Sequence, residues 1–541
     1  MGSMLRSAVA CLLAVSLLPA QNQKERLDWF RDLGFGMFIH WGVDVSLGSV
    51  ISHSLAGASP DYVKRYYEVL PRYFNPTKFD PAKWAATAKL AGMKYVVFTA
   101  KHHSGFCMWD TKTTKMSSMH TPFARDVVKP IIDAFRAEGI AIGLYISPDD
   151  FYWFHTNGYP IARPPAKNTT TKELPKMLEY GKAQLKELLT NYGKIDILFI
   201  DGPADGLREY AWELQKDIVV TRGAIETPEQ TIPEVTIDRP WEACLTMGTA
   251  WQHKPTNEQY RSAGEWIRTL IEVRAKGGNL LLNVGPKPDG ELASEEEGRL
   301  REIALWSFVN GESVDGVRPW VVDREGDIWF TRKQGEPTVY AFLTGKPFAM
   351  GERRQIVIKS VKVTPRSVVS VLGQSGELLE YRPKVDARTT WKQEADGLHI
   401  NLMHAQRMYD NRRWPNPVVV KITNAQAAFE APRATTLTSS WNESRKCHVL
   451  EGELQSVGSS ASVDVSFQYR KRRGLADLYE PIDPWKNTPF EARTEPGKYS
   501  HCLMTVAKDG DYEYRAIVRH PLGVLLGTES PFRPSEVVKL H

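Results

Sequence analysis

Cysteine is scarce in this chain. Five occur in 541 residues, and no pair is spaced as a CxxC or combined with histidine as a metal motif would be. A disulfide-stapled miniature fold is thereby excluded, and neither a metal nor a cofactor is expected. No Gly-x-Gly-x-x-Gly follows the first strand-like segment, which argues against a dinucleotide-binding fold. Charge of one sign is also missing. The 69 basic and 64 acidic residues leave a net +5, too little over this length to point to nucleic acid. Beyond the N-terminus no apolar run is long enough to cross a membrane. The N-terminal exception is residues 4–20, with Arg6, an apolar run from Ala8 to Leu18 and a small residue at Ala20. That layout is a secretory signal peptide over residues 1–20, in which Met1-Gly2-Ser3 reads as a cloning remnant. The mature protein is expected to be secreted or periplasmic. Nothing in the sequence sets its oligomeric state.

What is present is length and pattern. A chain of 541 residues exceeds one core and calls for two or three domains. Through residues 30–310, short apolar runs alternate with helical segments. Runs at 34–42, 94–103, 140–147, 195–201, 217–222 and 279–285 read as strands buried on both faces. Between them, 81–91, 127–138, 171–192, 257–276 and 294–310 read as helices, the last opened by a capping box of Ser294 and Glu297. Residues 223–259 read as irregular loops rich in Pro and Glu. Alternation of β and α, with polar residues at the strand tips, predicts a (β/α)8-like, TIM-type barrel over 21–320. Beyond it, short alternating runs between Gly, Pro and Asp turns predict antiparallel β-sandwich domains. One spans 321–425; a second, immunoglobulin-like, spans 426–541, where Cys447 and Cys502 fall on separate strands as an inter-sheet bridge would require. Cys107 and Cys244 read as free buried thiols.

The chemistry collects at the predicted strand tips: His40 and Trp41, His102 and His103, Tyr145, Asp201 and Arg222. In a barrel these tips converge at the C-terminal face, where catalytic groups sit. The loop after Arg222 adds Glu226, Glu229, Glu234 and Glu242. Neutral hydrogen-bonding groups among aromatic faces, in a chain with 16 Trp and 20 Tyr, suit a polyhydroxylated ligand. Two carboxylates flanking a sugar are what glycoside hydrolysis needs. Asp201 is placed as the nucleophile, and Glu229 or Glu242 as the acid/base.

Six motifs then stand in an order that resembles the family 29 α-L-fucosidases. They are Phe38-Ile-His-Trp-Gly42, Lys101-His-His-Ser-Gly-Phe106, Phe199-Ile-Asp-Gly202, Thr227-Pro-Glu229, Trp241-Glu242 and Lys276-Gly-Gly-Asn-Leu-Leu-Leu-Asn-Val-Gly-Pro286. The resemblance covers roughly residues 25–320. It implies retaining hydrolysis of terminal α-L-fucose through a covalent fucosyl-enzyme intermediate. Asp201 resembles the family nucleophile and Glu229 its acid/base, with Glu242 the alternative. His40, His102 and His103 correspond to histidines that hold fucose hydroxyls, Tyr145 and Arg222 to further contacts, and Phe199 to a residue lining the pocket. Where many members carry a Glu-Trp pair, this chain has Val50-Ile-Ser-His-Ser-Leu-Ala-Gly57, with His53 taking part of that contact. The implied partner is a fucosylated oligosaccharide or polysaccharide, sulfated fucan among them given the mild positive charge. The competing readings are a fucose-binding protein without turnover and a retaining hydrolase of a related sugar such as an α-galactoside.

Overall fold

Alternation along seven short strands sets the architecture. The structure, a computed structural model, describes residues 21–532 except 49–50, 164–165, 167, 235, 238, 408–412, 472–483, 505, 507–511, 521–522 and 527–529. The expected signal peptide lies outside the described residues. The strands are β1 (Phe35–Ile39), β2 (Tyr95–Lys101), β3 (Ala141–Ile146), β4 (Ile197–Ile200), β5 (Val219–Val220), β6 (Glu242–Thr246) and β7 (Asn279–Val284). They form one parallel sheet in the order β5-β4-β3-β2-β1-β7-β6, a curled, TIM-like half-barrel. Between its edges runs the segment after Arg222, which makes single bridges at Glu226–Trp241 and Glu229–Cys244. β6 lies inside the stretch expected to be irregular. Its sequence, Glu-Ala-Cys-Leu-Thr, opens on a charge and lacks β-branched residues until its end, so its strand character comes from complete burial.

Period-two alternation decides what each residue faces. Phe38, Val97, Tyr145, Phe199 and Cys244 share an inner core. Met37, Ile39, Phe98, Leu198 and Leu282 point the other way, into a larger cluster beneath the helices. Those helices are α1 (Lys24–Leu33), α2 (Pro60–Val69), α3 (Pro81–Leu90), α4 (Val128–Ala137), α5 (Phe151–Thr156), α6 (Pro175–Thr190), α7 (Leu207–Leu214), α8 (Ala263–Ala275) and α9 (Ser294–Asn310). Phe30 of α1 packs edge-on to Tyr95, with centroids 5.7 Å apart, at the N-terminal end of the strands. Gly36 makes room for that ring: a Cβ there would lie 2.4 Å from it. The capping box expected at Ser294 and Glu297 does not form. Ala293 is the N-cap and Glu297 accepts from Arg301 instead. Helix α8 has such a box, from Ser262 and Glu265.

Antiparallel sheets follow. The first is five-stranded, built from Val317–Glu325, Ile328–Lys333, Val339–Leu343, Val369–Val371 and Val418–Ile422. It shares the large outer core with the half-barrel, and Trp306 of α9 donates to the Pro417 carbonyl at 2.9 Å. A separate core around Leu450, Phe467, Tyr499 and Tyr514 serves the last sheets. Cys447 and Cys502 are bonded there, with Cα atoms 5.6 Å apart. They sit on Cys447–Ser456 and Gly497–Leu503, hydrogen-bonded neighbours in one sheet, so the bridge is cross-strand rather than inter-sheet. Cys107 and Cys244 are free and buried.

The last sheets also touch the segment that carries Glu229. Arg515, almost fully buried, stacks on Trp485 at 3.9 Å and pairs with Glu234 at 3.0 Å. Since Glu234 is more than half exposed, this pair is a weak tether. Glu234→Gln is expected to lower kcat by about two- to fivefold, with the melting temperature unchanged. Steady-state kinetics beside a thermal melt checks this.

Candidate active site

Inward parity places the side chains. On β4, Ile197, Phe199 and Asp201 occupy i, i+2 and i+4, so the carboxylate stands just past the strand tip on the inner face. The Asp201 amide still bonds the Ile146 carbonyl at 3.1 Å, and Gly202, at φ +137°, turns the chain away in a conformation that suits glycine. Tyr145 lies directly across from Phe199 on β3. Its hydroxyl donates to Asp201 Oδ2 at 2.8 Å.

Arg222, just past β5, joins two carboxylates. Its Nε meets Asp201 Oδ1 at 3.0 Å and its Nη2 meets Glu229 Oε2 at 2.7 Å. The guanidinium lies 5.4 Å over the Phe199 ring. Sharing one planar fork sets the two carboxylates side by side. Retaining glycosidases use two carboxyl groups close together (roughly 5–5.5 Å), whereas inverting ones space them at roughly 6.5–9.5 Å to admit a water. Burial pushes the Asp201 carboxyl up, but Arg222, the Tyr145 hydroxyl and His102 outweigh it and hold it below the ordinary carboxylate range. Asp201 is therefore an anion when the site is empty.

Histidines form the opposite wall. His40 Nδ1 lies 2.6 Å from Asn283 Oδ1 on β7, while the Asn283 amide donates to the Trp251 carbonyl. The Asn283 oxygen must therefore accept, and His40 keeps a bare Nε2. His102 Nδ1 is 2.7 Å from Ser52 Oγ. His103 Nδ1 bonds Ser147 Oγ, whose own proton goes to the Asp149 carbonyl at 2.9 Å. His103 Nε2 is then bare and sits 3.7 Å from Asp201 Oδ2. The ring of His102 stacks on Tyr145 at 5.2 Å.

The first loop, Ile51-Ser-His-Ser54, is held from below. Buried Asp44 accepts from the Ser52 amide at 2.5 Å and from the Tyr66 hydroxyl at 2.9 Å. Ser52 adopts φ +41°, outside the range most side chains favour. That turn presents His53, whose ring lies 5.9 Å from those of both His102 and His103. One nitrogen from each of these three imidazoles lies within 4.8 Å of the others, so the trio has the reach to hold a metal ion, which its spacing in sequence did not suggest.

Two expected site residues lie elsewhere. Trp41 shares parity with Met37 and Ile39 and so faces outward, packing on Phe74, Phe79 and Trp84. Glu242 is the first residue of β6 rather than part of a loop, which sends it to the N-terminal end of the strands, opposite the tips. There it accepts from the Tyr95 hydroxyl at 2.6 Å. Glu226 pairs with Arg239 and Glu234 with Arg515. Of the candidate glutamates, Glu229 alone meets Arg222 beside Asp201.

Several residues here escaped the sequence reading. Trp251 lies 4.8 Å from the His40 ring and 5.8 Å from Phe38. Arg163 donates to His53 Nε2 at 2.8 Å. Asp149, raised by burial to about 6, feels both Arg163 and Asp201. Only Asn283 had a signal, its parity with Leu281 on β7.

Burial also sets the pH response. It lowers His40 to about 3 and His53 to about 4, and His102 and His103 well below 6.5. Neutral when folded, these rings would gain protons below about 6.5 once unfolded, so acid erodes stability. Glu242 and Glu296, raised by burial to about 7 and about 8, act oppositely. Their contribution is complete below the ordinary value of 4.5 and lost as pH rises through 7 and 8. Stability is thus expected to peak between about pH 4.5 and 6.5 and to decline on either side. Glu242→Gln, which keeps an acceptor for Tyr95, should shrink the fall in melting temperature between pH 5 and 8.

Comparison with known proteins bears on the same residues. The α-L-fucosidase family profile matches residues 18–312. An α-L-fucosidase of Branchiostoma floridae is 30% identical over 404 residues, which is 66% of this chain and 86% of that protein. The plasma α-L-fucosidase of Homo sapiens is 28% identical over 59% of this chain and 76% of its own. Among solved structures, α-L-fucosidase isoenzyme 1 from Paenibacillus thiaminolyticus superposes with a TM-score of 0.58 at 28% identity, covering 74% of this chain and 98% of that one.

Proposed function

Because the chain belongs to the α-L-fucosidase family and is a glycoside hydrolase, we propose that it releases terminal α-L-fucose from glycans with retention, Asp201 as nucleophile and Glu229 as acid/base. The observation that carries this reading is the fork of Arg222, which holds both carboxylates at the strand tips. Asp201 attacks the anomeric carbon while Glu229 protonates the departing glycosidic oxygen. The bond to Asp201 forms as that to the leaving oxygen breaks. In the resulting ester Asp201 carries no charge, and Glu229, having given up its proton, is left as the free base of the site. It then takes a proton from water, which attacks the anomeric carbon and frees Asp201. Two inversions give net retention.

The bare Nε2 atoms of His40 and His103 accept from sugar hydroxyls, with His102 and His53 beside them. Phe199 and Trp251 supply apolar faces for the 6-methyl group. A degenerate binding protein would have no use for paired carboxylates on one guanidinium, which favours turnover. Export is the reading that the leader-like composition of residues 4–20 and the Cys447–Cys502 bond, a feature of oxidising compartments, together favour. A substrate carrying sulfate, such as sulfated fucan, is consistent with the net positive charge. The test is proton NMR of fresh hydrolysate from an aryl α-L-fucoside. α-L-Fucose appearing before its β anomer supports the mechanism; β first contradicts it.

A further inference from the structure

We propose that Arg163 and His53 form a subsite for a sulfate ester on the glycan at the mouth of the fucose pocket. The inference rests on the glycosidase reading of the same site and names the class of substrate it prefers.

Hydrogen-bond polarity is the reason. A guanidinium can only donate. With Arg163 Nη1 donating at 2.8 Å, His53 Nε2 must accept, and the proton of the neutral ring sits on Nδ1. The pair therefore offers donors and no acceptor: the His53 Nδ1–H and the remaining N–H groups of Arg163. A sugar hydroxyl both donates and accepts, so it would leave half its capacity unused here. A sulfate ester accepts only and carries a full negative charge, and charge-assisted bonds from a guanidinium are the strong class.

Charge bookkeeping on this wall agrees. Asp201 and Glu229 already share Arg222. Arg163 is exposed and makes no ion pair with a carboxylate among the described residues; its one hydrogen-bond partner there is the neutral His53. On the wall it completes, His53 stacks on His103 at 5.9 Å, and the anion behind that wall, Asp201, is already ion-paired to Arg222 at 3.0 Å. Two acids feel Arg163: Asp149, which burial raises to about 6, and Asp201, whose charge Arg222 already pairs. The subsite lies within a few ångströms of the groups that hold the sugar, since the nitrogens of His53, His102 and His103 cluster within 4.8 Å.

The experiment compares kcat/KM on one fucosylated, sulfated oligosaccharide before and after chemical desulfation, and after carboxyl reduction of a uronate-bearing analogue, for wild type and Arg163→Met. Wild type is expected to favour the sulfated form by about tenfold or more, and Arg163→Met to collapse that ratio toward one. A wild-type preference for the desulfated form overturns the proposal. So does a sulfate preference that survives in Arg163→Met, or a preference that tracks the uronate instead. If no glycan is cleaved, calorimetric titration with the same sulfated and desulfated pair separates the two claims. Sulfate-dependent binding lost in Arg163→Met upholds the subsite while the hydrolase reading fails; equal or absent binding overturns the subsite as well.

Discussion

Asp201→Asn is expected to reduce turnover of an aryl α-L-fucoside by roughly 10⁴-fold or more, with the melting temperature little changed. An amide has almost the volume of a carboxylate and still accepts from the Tyr145 hydroxyl at its oxygen. It has no charge to attack the anomeric carbon, and no amount of positioning by Arg222 restores one. Nor does the fold depend on the charge, because Arg222 keeps Glu229 as a partner. Activity and stability should therefore separate cleanly. Steady-state kinetics beside a thermal melt reads both; turnover within tenfold of wild type would remove Asp201 from the role of nucleophile.

The second large effect is at Glu229. Glu229→Ala should cost about 10²- to 10⁴-fold on natural glycans, whose leaving groups need a proton. On an activated aryl fucoside the first step needs little acid, so the covalent intermediate should accumulate for want of a base. Azide, a nucleophile that needs no deprotonation, should then restore rate and yield a fucosyl azide. Glu242→Ala should show no such rescue, because Glu242 faces Tyr95 at the far end of the strands. Rescue of Glu242→Ala and not of Glu229→Ala would invert the assignment.

These two carboxylates illustrate what the sequence makes legible. Asp201 ends an apolar run bounded by Gly202, and a buried strand followed by a glycine turn puts its terminal acid at the tip. His40 is read the same way from Phe38-Ile-His. The sequence groups Trp41 with His40, but a strand continues its alternation to the tip, so the residue one step on faces the helices. Glu242 reads as loop because β6 carries no hydrophobic period of its own, yet it is the first residue of that strand. Glu229 stands out from Glu226 and Glu234 only once the chain is folded, since the choice depends on which acid Arg222 reaches. The capping box at Ser294 and Glu297 failed for a local reason, a helix whose N-cap is Ala293 and whose Glu297 is drawn to Arg301. Arg163 and Trp251 carry no pattern at all. Each comes from a loop whose path is set by tertiary packing, where neither periodicity nor turn chemistry speaks.

The central claim, retention through an ester on Asp201, is tested most directly by trapping that ester. With 2-deoxy-2-fluoro-α-L-fucosyl fluoride, the ring fluorine slows both steps and the good leaving group restores the first, so the intermediate should persist. Intact-mass spectrometry followed by peptide mapping should find one fluorofucosyl group per chain, on the peptide containing Asp201, and none on Asp201→Asn. Labelling at another carboxylate, or none while the reagent is hydrolysed, would contradict the account.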